Sequence, residues 1–225
     1  MPRVARGLAG DHIYHVLNRG NGKQEVFHKN GDYAAFIDLM KEAKERNPVK
    51  VFAYCLMPNH FHLVMMPEKG EELSRWMQWL MTSHVRRYHR HYGSSGHIWQ
   101  GRFKSFIIQK DEHLLTVMRY VEGNPVRAAL VKSANEWLWS SHVERLSESD
   151  DDLIDDIPME LPANWGSYVD EPLTAKEMEL MRESVNRQSP YGQADWRVTI
   201  SQELGLESTL RPKGRPKKDV VSTKK

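Results

Sequence analysis

Apolar positions in the first half of the chain switch repeatedly between two spacings, and the switches predict an order of elements. Residues 13–19 (Ile13 to Arg19) form a short apolar run closed by the turn-forming Gly20-Asn21-Gly22, which predicts a first strand. Over 32–46, Phe36, Leu39, Met40 and Ala43 recur at three- and four-residue spacings, the signature of a helix. Pro48 ends it; 49–56 predicts a second strand, Pro58-Asn59 a tight connector, and 60–66 a third strand in a hairpin with the second. Residues 71–92 predict the longest helix, with Leu73, Trp76, Met77, Leu80, Met81 and Val85 as its buried stripe. After the loop Gly93-Ser94-Ser95-Gly96, a strand region over 98–108 is interrupted near Gly101. A short helix over 111–122 is closed by Asn124-Pro125.

The order β-α-β-β-α-β is the split βαβ arrangement, an α+β class. A ferredoxin-like antiparallel sheet is expected, with helices packed on one face and the second face open or half-covered. Past residue 141 the patterns weaken. Leu173 to Glu177 reads as a capped helix start running to about 186, and 196–206 as a further helix. The expected organisation is a main domain over 1–145, an acidic linker over 146–170, a small helical extension over 171–209, and a basic tail over 210–225 without fixed structure.

Charge changes this picture. The net formal charge is only +2, but 1–140 carry 20 Lys and Arg against 13 Asp and Glu, 141–180 carry 2 against 12, and 181–225 carry 10 against 5. Basic segments on either side of an acidic one point to a polyanion partner. The acidic stretch is either a solvated linker or a shield for the basic surface. Cys55 is the single cysteine, which excludes an internal disulfide framework and thiolate metal clusters. There is no apolar run near twenty residues and no hydrophobic signal segment, so a soluble cytoplasmic protein is expected.

The candidate chemistry lies in two places. His60-Phe61-His62 sits on the third strand, where side chains alternate, so both imidazoles point one way and Phe61 into the core. Such a pair can hold a divalent ion; it can also simply line a half-solvated sheet face. In the later helix, Leu114, Val117, Met118 and Val121 form the core stripe. Tyr120 lies off it, with Asn124 one turn on. A phenol beside a metal can attack a phosphodiester, with the amide oxygen as third ligand. Attack by Tyr120 would leave a 3′ hydroxyl and a 5′-phosphotyrosine, and the covalent link conserves the energy needed for rejoining. Imidazole and amide ligands accept Mg²⁺ or Mn²⁺, although they would bind Zn²⁺ more tightly.

Four blocks carry a family pattern: Tyr14-His15-Val16 with Asn18-Arg19-Gly20; Tyr54 through His62; His97-Ile98-Trp99-Gln100-Gly101-Arg102-Phe103; and Tyr120 with Asn124-Pro125-Val126-Arg127-Ala128. The chain resembles the IS200-like superfamily of single-tyrosine (HUH) transposases, specifically the REP-associated tyrosine transposases, over most of 8–145. The resemblance implies that His60 and His62 are the metal-binding pair, Tyr120 the catalytic tyrosine, and Asn124 a further polar ligand. It implies a bacterial, nucleoid-associated enzyme that cleaves and rejoins single-stranded DNA at short palindromic REP hairpins. It also implies action as a monomer, with a homodimer left open.

For DNA contacts the sequence offers Arg19, Arg102, Lys104, Arg119 and Arg127 around the site. In the tail it offers Arg211, Lys213, Arg215, Lys217 and Lys218. Each has an ordinary reading as a solvated cation, and Arg127 a further one as a helix-end cap. The tail, with Gly214-Arg215-Pro216 flanked by basic residues, resembles an AT-hook, in which an extended chain enters a narrow minor groove. Two other readings remain at this point: a domesticated hairpin-binding protein with little cleavage, and a metal-dependent RNA nuclease that leaves no protein-linked product.

Overall fold

The computed structural model describes residues 7–147 and 153–211. The elements are β1 (Ile13–Arg19), α1 (Asn30–Arg46), β2 (Val49–Met57), β3 (His60–Pro67), α2 (Gly70–Tyr92), β4 (Lys104–Ile108) and α3 (Glu112–Glu122). Six further α-helices follow: α4 (Asn124–Arg127), α5 (Ser141–Leu146), α6 (Trp165–Asp170), α7 (Ala175–Arg187), α8 (Ala194–Glu203) and α9 (Glu207–Leu210). The four strands form one antiparallel sheet in the order β2-β3-β1-β4, the expected split βαβ topology. Only 104–108 of the expected 98–108 strand region is regular. Before it, Trp99 makes an isolated bridge to Gly20, and Gly101 turns the chain at φ +72°.

The class is as expected, but the helices do not stay on one face. Phe36 and Met40 of α1, with Leu73, Trp76, Met77 and Leu80 of α2, bury Tyr14, Val16, Phe61 and Leu63 on one side of the sheet. On the other side, Leu114, Val117, Met118 and Val121 of α3 cover Ile13, Val64, Phe106 and Ile108. The reason is legible in the strands: β2 and β3 are apolar at almost every position rather than at alternate ones, so each face needs a cover.

The stretch read as an acidic linker is also attached to the core. Leu153, Trp165 and Val169 are buried, and Asp155 bridges to Lys44 at 2.7 Å while accepting the Val51 amide at 2.8 Å. Apolar residues interleaved with the acids give it something to bury. The later helices follow: α7 opens on a Thr174–Glu177 capping box, and Met181 and Tyr191 join the core beneath α3. Of the basic tail, Arg211 is described and exposed; Lys213, Arg215, Lys217 and Lys218 lie outside the described residues. Among the described residues, no helix is long and apolar enough to cross a membrane.

Candidate active site

The start of β3 is fixed by its hairpin. The Pro58 carbonyl accepts the Val26 and Phe27 amides at 2.8 and 3.1 Å, and Asn59 Nδ2 donates to the Lys23 carbonyl at 3.0 Å. That donation sets which end of the Asn59 amide faces β3. Its Oδ1 lies 2.6 Å from His60 Nδ1, so this nitrogen carries the proton and Nε2 keeps its lone pair. His62 is held differently. Its Nδ1 lies 2.8 Å from Nε2 of His15 on β1, across the diagonal of the β1–β3 register, in which His62 opposes Leu17 and His15 opposes Val64. His15 is fully buried, and its Nδ1 has no partner among the described residues. When His62 is the donor in this contact, its Nε2 also keeps a lone pair.

α3 and the turn after it supply the remaining groups. The Tyr120 ring is half-buried, with its centroid 5.7 Å from that of His62 and 6.0 Å from that of His15, both edge-on. Gly123 lets the chain turn tightly from α3 into α4; a Cβ there would stand 2.8 Å from the Val169 carbonyl oxygen and 2.9 Å from that of Arg119. Asn124 is thereby carried to His60, its Nδ2 3.5 Å from His60 Nε2. That is too long for a strong hydrogen bond, and turning the amide over puts its oxygen at the same place. Two imidazole Nε2 atoms and an amide oxygen make a donor set suited to a divalent cation with positions to spare, so these residues fit a metal ion.

Electrostatics favour the neutral imidazoles that ligation needs. Burial, then the Arg19 and Arg127 charges, pull the His60 pKa down to about 4. Burial, then His15, His60 and Arg127, hold His62 well below the ordinary range, and burial with Arg127 takes His15 to about 3.

The end of the tyrosine helix is anchored from beneath. Glu122 is fully buried and accepts from Ser141 Oγ at 2.6 Å, Trp165 Nε1 at 2.8 Å, His142 Nδ1 at 3.2 Å and Arg145 at 3.3 Å. Burial alone pushes its carboxyl up, but the His142, Arg145 and Ser141 partners outweigh it and hold the group below its usual range.

The basic residues expected to meet DNA divide into two groups. Arg19, Arg102 and Lys104 line a cleft of about 490 Å³ together with His60 and His62. Arg119 does not: it is 5 % exposed, paired with Glu177 at 2.8 Å and stacked 4.5 Å from the Tyr168 ring centroid. Arg127 lies over the Tyr120 ring, 4.0 Å from its centroid, and donates to the Tyr120 carbonyl. That carbonyl belongs to the last turn of α3, so Arg127 caps the helix end as the sequence allowed, while the side chain stays exposed and also covers the phenol face.

Sequence reasoning missed the chemistry of His15. Its signal was available, because β1 pairs with β3 and places odd-numbered residues of β1 on the face that carries His60 and His62. A second cluster of ligand-type side chains, Asp111, Glu112 and His113, has donor atoms within 4.8 Å of one another. Asp111 is the N-cap of α3, and its Oδ1 is taken up by both the backbone and the side chain of His113, at 2.9 and 2.7 Å. It sits at the opposite end of the helix from Tyr120.

Comparison with known proteins identifies the family. Residues 9–124 match the family model "Transposase IS200 like". A putative REP-associated tyrosine transposase of Haemophilus influenzae is 28 % identical over 147 residues, covering 60 % of this chain and 77 % of that protein. The REP-associated tyrosine transposase of Escherichia coli is 26 % identical over 136 residues, covering 60 % of this chain and 78 % of its own length. A solved REP-associated tyrosine transposase bound to a REP hairpin shares the fold, with a TM-score of 0.55 at 18 % identity over 78 % of this chain and all of that one. With the family model spanning more than half of its residues, the chain belongs to the IS200-like transposase family.

Proposed function

We propose that this protein nicks and rejoins single-stranded DNA beside REP-type hairpins, with Tyr120 as nucleophile. The observation that carries the reading is the Tyr120 ring set edge-on to His62, whose ring centroid lies 5.1 Å from that of His60; the Nδ1 atoms of His60 and His62 are both engaged, which leaves Nε2 as the ligand atom of each when His62 donates to His15. Mg²⁺ or Mn²⁺ held by His60, His62 and Asn124 would, when bound, draw charge from a phosphate oxygen and orient the scissile linkage.

The protein groups do the rest. The Tyr120 phenol gives up its proton to solvent and its oxygen attacks phosphorus. The bond from phosphorus to the 3′ oxygen breaks, and that oxygen leaves with the electron pair and takes up a proton. Arg127, stacked on the ring, offsets the negative charge that the phenol gains as it ionises and again as it leaves in the reverse step. Arg19, Arg102 and Lys104 neutralise neighbouring phosphates. Rejoining runs the same exchange backwards onto another 3′ hydroxyl and needs no nucleotide cofactor.

The chain's division of labour follows: residues 1–145 carry the chemistry, and the basic tail, with Arg211, Lys213, Arg215, Lys217 and Lys218, adds DNA affinity. The names of the relatives support the hairpin as substrate.

The test is to incubate the protein with labelled hairpin DNA and Mn²⁺, denature it, and look for label on the protein. An adduct is expected that is lost in Tyr120→Phe and in EDTA. An adduct that survives Tyr120→Phe would move the nucleophile elsewhere. Cleavage without any adduct would favour activated water, and hairpin binding without cleavage would leave recognition as the activity.

A further inference from the structure

The tyrosine helix is held at a second point by the segments that follow residue 145. Arg119, the neighbour of Tyr120 on α3, is 5 % exposed; its Nη2 donates to Glu177 Oε1 at 2.8 Å, and its guanidinium lies over the Tyr168 ring of α6. Glu177 is the third residue of α7, and its other oxygen is already in use. Oε2 accepts from the Thr174 amide at 2.7 Å and from Thr174 Oγ1 at 2.9 Å, closing the capping box that starts the helix. One carboxylate thus fastens the first turn of α7 to the last turn of α3. A guanidinium so far out of water has to keep its partner, which makes this a fixed contact rather than a passing surface pair.

From there α7 runs 13 residues, about 20 Å, to the cleft that holds His60 and His62. Midway, Met181 is fully buried in the core that includes Val117 and Met118 of α3. At the far end Val185 and Asn186 line the cleft, and just beyond the helix Gln188 accepts the Ser105 amide of β4 at 3.4 Å. From this placement we infer that Arg119 and Glu177 are positioning residues for the reaction at Tyr120. They tie α3 to a helix whose other end is built into the cleft wall, and so hold the phenol in register with the imidazoles. Glu122 fixes the same turn of α3 at one point and leaves it free to roll about that point; the Arg119 contact removes this freedom. Neither Arg119 nor Glu177 is among the described residues that line the cleft, so both act through the helices that carry them. The inference rests on the proposed function for the role of Tyr120 and adds the C-terminal extension to what that role needs.

The test uses the full chain and follows adduct formation with labelled hairpin over a range of DNA concentrations, at saturating Mn²⁺ and well below the melting temperature of every variant. Arg119→Met opens the clasp and leaves the capping box. Glu177→Gln has one oxygen for two tasks and cannot serve both Thr174 and Arg119. Each should lower kcat roughly ten- to a hundred-fold, with the KM for hairpin and the Mn²⁺ affinity as in the wild type. The double variant should be no slower than the slower single one, because both changes break one contact. Thr174→Ala, which loses the cap and keeps the clasp, should react at the wild-type rate. Hydrogen exchange at the amides of residues 116–124 should rise in Arg119→Met and Glu177→Gln and hold steady on β3. Wild-type rates in the two clasp variants, losses that multiply in the double variant, or an equal slowing in Thr174→Ala (which would make the folding of α7 alone responsible) would each overturn the inference. A wild-type protein that forms no adduct would sink the cleavage reading alone. Exchange would then decide, and unaltered exchange in both clasp variants would remove the positioning role.

Discussion

The two faces of the sheet are built from the same strands but to different ends. Under α1 and α2 the packing is aromatic and aliphatic, with His84 and Asp32 as buried polar exceptions. Under α3 the buried set includes His15, His62, Glu122 and Asn124, and Arg119 closes over it. Buried polar groups cost free energy unless each meets a partner, so the second face gains less cohesion from burial and more definite geometry. One face holds the fold together. The other holds side chains at fixed places.

The largest effects should come from removing the keystone of each face. Phe36 of α1 is fully buried and touches Phe27, Phe61, His84 and Trp99. Phe36→Ala should cost about 3–5 kcal/mol in urea unfolding, with Mn²⁺ affinity of the folded protein unchanged. Glu122→Ala leaves His142, Arg145, Ser141 and Trp165 without their shared acceptor, and should cost a similar amount, about 3–5 kcal/mol. Its distinguishing mark is a drop in adduct yield per folded molecule, because the end of the tyrosine helix loses its anchor. Equal yields in the two variants would mean that Glu122 supports only stability.

His15 sharpens the contrast at a smaller scale. Its imidazole holds the Nδ1 of His62, the role that carboxylates and carbonyls commonly take behind metal-bound histidines. His15→Phe should weaken Mn²⁺ binding about 10–100-fold by calorimetry. Hairpin affinity in EDTA and thermal stability should hold, since an aromatic ring of similar size remains beside Phe106. His15→Gln, whose amide oxygen can accept from His62, should recover part of the affinity. Unchanged Mn²⁺ affinity in His15→Phe would reduce His15 to a packing residue.

How much of this was readable in the sequence differs between the faces. The topology and the α1 and α2 stripes follow from periodicity, which depends on local spacing alone. Tyr120, His60, His62 and Asn124 stood out because each departs from a local pattern. What was missed depends on contacts distant in sequence. His15 meets His62 across 47 residues, Glu122 meets Trp165 across 43, and Arg119 is taken out of the candidate DNA surface by Glu177, 58 residues later. The contact of Arg127 with the Tyr120 ring was missed for a related reason: it depends on how the chain turns at Gly123, which spacing does not encode.

The smallest expected effect tests whether the faces are independent. His84 on α2 is buried among Phe27, Phe36 and Trp99, and its Nδ1 has no partner among the described residues. Burial first, with Arg87 adding to it and Asp32 opposing, lowers its pKa from 6.5 to about 3. In the unfolded chain the imidazole takes up a proton as the pH falls through 6.5, while the folded protein resists until about 3. Its contribution to stability is therefore complete above pH 6.5 and drains away as the pH falls through that window. His84→Phe should flatten the acid limb of a stability–pH profile measured by urea unfolding while leaving Mn²⁺ affinity as in the wild type. An unaltered acid limb would mean that the buried imidazole is already protonated in the folded state. A loss of Mn²⁺ affinity would mean that repacking one face moves His60, His62 and Asn124 on the other, and the division between them would fail.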